Sequence, residues 1–210
     1  MKAKPETWTI VVAGGWNVRV FSPDWVGRNL TDHRPLNIEV PLGPPVNMIR
    51  FIVGGLTVIP AEDRLIVGVQ DPTIEMLEKA EAVALKAVTL LPHTPVGAVG
   101  INFGFEETSP SGKLLALFRM ADMGDLSSFG CDIKQTTVAR SLVVQNATLN
   151  VTHASSAADG RVETHLNFHH EAPSAGAAME LLKGRARQCF ELGKNFLTQV
   201  YDCTLDEGTP

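Results

Sequence analysis

Apolar positions in this chain recur with two periods, every second residue over short stretches and near every 3.6 residues over two long ones. Residues 7 to 21 alternate around Gly14-Gly15, a dipeptide that accepts positive φ, and predict a hairpin. In that hairpin Ala13 would face Trp16, Val11 would face Val18 and Thr9 would face Val20, with this face toward the core. Ser22-Pro23 then has the form of an N-cap followed by proline at the first helical position, opening a short helix to about Leu30. Extended segments follow at Leu36–Val40, Asn47–Val53, Leu56–Ile59 and Arg64–Val69. Pro41, Pro44 and Pro45 separate the first of these from the second, and Pro60-Ala61-Glu62-Asp63 makes a hairpin loop.

Asp71-Pro72 is expected to cap a helix over residues 72 to 91, closed by Pro92. Its polar arc holds Glu75, Glu78, Lys79, Ala82, Lys86 and Thr89; the apolar arc is wide enough to need more than one neighbour. Residues 96 to 106 alternate as a strand, with Val99, Ile101, Phe103 and Phe105 on one face and Gly100, Asn102, Gly104 and Glu106 on the other. A short helix is expected over 112 to 123, and a β-meander over Ile133 to Glu171 with a turn at Asp159-Gly160. The last long element, Ser174 to Tyr201, has helical period, with Ala178, Leu182, Ala186, Cys189, Phe196 and Val200 along one stripe. No sequence repeat stands out, but the order is strands then helix, twice. Together these predict one α+β domain over residues 1–203, a largely antiparallel sheet covered on one side by two long helices, with an acidic tail at 204–210.

Composition narrows the function classes. The chain has 210 residues, 44% hydrophobic and 20% charged, enough for one sizeable core. Net charge is −5 and Lys and Arg nowhere form a run, so nucleic acid is not an expected partner, although Lys183, Arg185, Arg187 and Lys194 make a local basic group. Three cysteines, Cys131, Cys189 and Cys203, have no paired spacing that would suit a disulfide framework or a metal knuckle. The first residues lack the long apolar run of a signal peptide and no window suits a membrane span, so the expected location is cytoplasmic. The sequons at Asn29, Asn146 and Asn150 carry no weight there.

Motifs of known chemistry are sparse. Ser109-Pro110-Ser111-Gly112-Lys113 has Glu107 where a phosphate loop needs glycine and Leu114 where it needs Ser or Thr, which leaves a turn opening a short helix. In RVETHLNFHHE, alternation puts Glu163, His165, Asn167, His169 and Glu171 on one face. His165 and His169 stand roughly 13 Å apart in a strand, too far for one metal ion to bridge, so a site would need Asn167 or a neighbour such as His153. A solvated sheet face, or imidazoles sensing pH at an interface, are the other readings. Glu81 falls inside the apolar arc of its helix and Arg185 interrupts that of the last helix; either each snorkels at a stripe edge or the two pair. The flat glycine face around Asn102 invites close approach by a helix, or a ligand held by Asn102 and Glu106.

The expectation is a non-catalytic binding or assembly protein that associates with itself or with another protein, using no cofactor. The alternative is a small-ligand binder or enzyme with a pocket between helices and sheet, oriented by Glu81, Asn102, Glu106 and Arg185.

Overall fold

The computed structural model describes residues 1–31, 35–40 and 49–206. Among these residues ten strands form one sheet: β1 (Lys2–Ala3), β2 (Thr9–Gly14), β3 (Asn37–Glu39), β4 (Arg50–Val53), β5 (Leu56–Pro60), β6 (Arg64–Val69), β7 (Val96–Glu107), β8 (Gln135–Val144), β9 (Ala147–Ser156) and β10 (Val162–Glu171). Their order is β3-β4-β5-β6-β2-β7-β10-β9-β8, with β1 on β7 beyond the end of β2, and every pairing is antiparallel. Among the described residues six α-helices accompany it: α1 (Pro23–Asn29), α2 (Ile74–Leu90), α3 (Gly112–Ala116), α4 (Met123–Ser128), α5 (Ala175–Leu181) and α6 (Arg185–Tyr201).

Strand register explains the core. One row crosses eight strands as Phe51, Val58, Val67, Ile10, Ile101, Phe168, Leu149 and Leu142, and all but the last are fully buried. Each such side chain contributes roughly 2 kcal/mol of hydrophobic stabilisation. Helices α2, α5 and α6 lie over this face, and α2 touches β2, β5, β6, α5 and α6, as its wide apolar arc requires. Gly193 lets α6 approach closely, since a Cβ there would stand 2.9 Å from the Leu166 side chain. The fold is therefore the expected α+β sheet covered on one side.

Four local expectations change. Residues 7–21 are not a hairpin, because β2 pairs β6 on one edge and β7 on the other and leaves no room for a third strand. The chain instead turns away at Gly14, where a Cβ would lie 2.4 Å from the Pro95 carbonyl oxygen, and residues 18–20 form a 3-10 turn. The facing is also reversed: Trp8, Ile10 and Val12 enter the core, while Thr9, Val11 and Ala13 lie on the opposite face. Thr73, not Asp71, caps α2, its hydroxyl accepting from the Met76 N–H. The expected helix over 112–123 is two short helices, and that over 174–201 breaks at Gly184, whose φ is +76°. Val200 is 46% exposed, and Leu197 and Tyr201 are the buried residues at that end of α6. The proline run at 41, 44 and 45 and the start of the 47–53 segment lie outside the described residues. So do 207–210, whereas Leu205 is buried and the Asp206 N–H donates to the Met1 carbonyl.

The two halves of the chain share one plan. Each runs strand, serine-capped short helix, three-stranded meander, long helix: β2, α1, β4–β6, α2, then β7, α3, β8–β10, α5–α6. Ser22 and Ser111 cap the short helices, and Pro72-Thr73 and Pro173-Ser174 open the long ones. In each half the last meander strand returns beside the first strand, so the order from β4 on one side and from β8 on the other reads alike to the central β2·β7 pair. Val11 and Gly100, opposite one another in that pair, precede their capping serines by the same distance along the chain. The sequence shows no repeat because the plan is carried by different residues in each half.

Candidate functional site

The uncovered face of the sheet holds a polar ladder. Thr9, Asn102, Asn167, Asn150 and Ser141 lie in register on five neighbouring strands. Ser141 Oγ donates to Asn150 Oδ1 (2.7 Å), Asn150 Nδ2 to Asn167 Oδ1 (3.0 Å), Asn167 Nδ2 to Asn102 Oδ1 (2.6 Å) and Asn102 Nδ2 to Thr9 Oγ1 (3.0 Å). All four bonds point the same way, so each amide polarises the next. The neighbouring row runs Ile59, Ile66, Val11, Gly100, His169, Thr148 and Val143, aliphatic at one end and polar in the middle. Gly104 is covered by Thr7, whose hydroxyl would lie 2.2 Å from an added Cβ. The close approach at the glycine face is thus made by the 3-10 turn before β2, not by a helix.

The four residues singled out in the sequence divide between the two faces. Asn102 belongs to the ladder, and Glu106 makes an ion pair with Arg161 at 2.9 Å. Glu81 and Arg185 lie under the helices but do not pair with one another. Glu81 is 5% exposed and its carboxylate accepts from the Gly184 N–H (3.0 Å) and the Ala186 N–H (2.7 Å). It therefore caps α6 from another helix, supplying the acceptor that Gly184, with no side chain, cannot. Burial raises its pKa above the usual carboxylate range and these N–H groups oppose that rise.

Arg185 lines a small recess with His170, Cys189 and Asn146, and its buried Nε has no hydrogen-bond partner among the described residues. Cys189 Sγ lies 3.6 Å from His170 Nε2. This is not an activated thiol: burial pushes Cys189 up to about 12 and holds His170 below its ordinary value. Of the local basic group, Arg187 pairs with Glu78 and Lys183 with Glu180.

The histidines also separate. His165 and His169 are half-exposed on the ladder face, His165 3.9 Å from Glu163. His153 lies on the opposite face, 1% exposed, bonded to Thr164 Oγ1 at 2.9 Å and set edge-on to Tyr201. Burial, with a smaller contribution from Arg140, brings its pKa down to about 4. Among the described residues no three His, Cys, Asp or Glu side chains gather as a metal site requires.

A cleft of about 380 Å³ opens between the start of α2, the middle of α6 and the sheet. Its aromatic wall is Trp8, Phe105 and Phe190, and Thr73, Glu75, Glu191 and Lys194 stand among its polar residues. Of these only Lys194 was singled out from sequence, as part of the local basic group. The asparagines offered a signal, since Asn102, Asn150 and Asn167 each occupy an outward position on a strand, but their shared row depends on pairings between distant segments. No helix among the described residues is long and apolar enough to cross a membrane. No protein-family model matches this chain, and no curated protein matches it in sequence.

Proposed function

We propose that this chain is a non-catalytic binding or assembly protein that associates with itself. The observation that carries this reading is the one-sided sheet. Its polar groups are tied to one another in a ladder instead of converging on a pocket, and Val143, in the neighbouring row, stands exposed beside it. Surfaces of that kind suit a flat protein partner better than a small solute. Light scattering over a concentration series, with and without a chelator, tests it. A discrete oligomer indifferent to chelation is expected; a monomer at every concentration overturns it. A mass that falls on chelation points to metal at His165 and His169.

The cleft floored by Trp8, Phe105 and Phe190 favours a second reading, a small-ligand binder with its pocket between helices and sheet. Its apolar wall and charged rim suit an amphipathic ligand. Quenching of tryptophan fluorescence by an amphipathic probe, lost in Phe190→Ala, is the outcome that supports it; an unchanged spectrum removes it.

A further inference from the structure

The two edges of the sheet are unlike. One ends in β3, three residues long and carrying Glu39. The other ends in β8, ten residues with no proline and a single charge, Arg140, whose Nη1 donates to the Tyr201 hydroxyl (3.0 Å). A long strand edge without lysine, proline or bulge is a template for another strand. The repeated plan of the halves says the same. In the sheet β4 holds in the first half the place that β8 holds in the second, and β4 is covered by β3. The place beside β8 has no such strand among the described residues. The two most exposed large apolar side chains there are Val143, 88% exposed at one end of β8, and Phe129, 87% exposed in the segment leading to its other end.

Resting on the self-association proposed above, we propose that β8 pairs antiparallel with β8 of a second copy, about a two-fold axis at Ala139. The register follows from three constraints. The two-residue turn Gln145-Asn146 makes Val144 and Ala147 a hydrogen-bonded closing pair, so odd-numbered residues of β8 turn their backbone N–H and C=O to the open edge. Pairing must therefore join odd residues to odd ones, which also keeps like faces together. An axis at Arg140 would set two guanidinium groups against each other, whereas an axis at Ala139 uses almost the whole strand and places Arg140 opposite Val138. In this register Thr137 faces Ser141 of the second copy. Ser141 Oγ already donates to Asn150 and keeps lone pairs free, so a Thr137 hydroxyl donating to it carries the ladder across the interface. Val143 of one copy lands beside Gln135 of the other, near the exposed Met120 and Leu126.

The test uses the full chain with Cys131, the exposed cysteine, changed to Ser. Ala139→Cys places two thiols on opposite Cα atoms about 5.5 Å apart, within disulfide range. Mild oxidation is expected to give a covalent dimer in high yield, while Val143→Cys alone gives little and Val143→Cys with Gln135→Cys restores it. In the unmodified chain, Ala139→Pro removes one outward N–H and is expected to convert the oligomer to a smaller species, with circular dichroism showing an intact fold. Hydrogen exchange gives a second readout, with protection of the Thr137, Ala139 and Ser141 amides that is lost on dilution. A discrete oligomer that ignores Ala139→Pro and fails to cross-link at 139 overturns the β8 register while leaving self-association standing. A monomer throughout overturns both.

Discussion

Glu81 shows how much one side chain can carry in this molecule. A carboxylate on the inner face of a helix is costly to bury, and it persists here because two backbone N–H groups of α6 point at it. Glu81→Ala would leave both N–H groups without an acceptor inside the protein, and a loss of about 2 to 3 kcal/mol is expected. Glu81→Gln keeps one acceptor oxygen and is expected to lose about half as much. Urea unfolding of the two variants checks the order, and equal losses would show that charge, not geometry, sets the cap. The sequence exposes the oddity of Glu81 because helical period is local. It conceals the partner because the groups capped lie more than a hundred residues away and are backbone atoms, which no residue type advertises.

At the scale of elements, the same division recurs. The β5–β6 hairpin, and the turn at Asp159-Gly160 between β9 and β10, were legible because their pairing is settled within a few residues, whereas the Gln145-Asn146 turn between β8 and β9 was not read. β2 was misread because both its partners are remote, and alternation alone cannot say which strand sits alongside. Gly14-Gly15 mimics a hairpin turn yet serves a close pass beneath the Pro95 carbonyl. The ladder makes its own prediction. Asn167 is the only member bonded to an amide on both sides through its own two amide atoms in the middle of the row, so Asn167→Ala cuts the ladder in half. An expected loss of about 1 to 2 kcal/mol should appear in the denaturant midpoint. Asn167→Ala combined with Asn150→Ala should cost less than the sum of the two single changes, since both remove one shared bond. Strict additivity would mean that water already competes for these groups.

For the molecule as a whole, two buried histidines make the fold sensitive to acid. His153 is half-protonated near pH 6.5 in the unfolded chain but only near 4 when folded. Between those values the unfolded chain holds a proton that the folded chain excludes, so stability is full above pH 6.5 and falls as pH drops toward 4. The full loss is about 3 kcal/mol. His170 is shifted in the same direction and adds to it. Between pH 7 and 4.5 the unfolding free energy of the native chain is expected to drop by about 2 to 3 kcal/mol more than that of His153→Gln. Parallel curves would show a charged ring in the folded state. The sequence made His165 and His169 most conspicuous, and His153 was legible only as a possible neighbour of theirs.

The doubled plan has a consequence for the order in which the chain can be completed. β2 precedes β7 along the chain by some ninety residues, yet it ends in the centre of the sheet, and its second edge is filled only when β7 has been made. Without β7, the edge of β2 along Ile10, Val11 and Val12 would stay unpaired beside β6, and such an edge is a template for another strand. Glu81 likewise waits, buried partner absent, for Gly184 and Ala186 to arrive. The first half alone therefore lacks both the strand that fills the second edge of β2 and the helix N–H groups that satisfy Glu81.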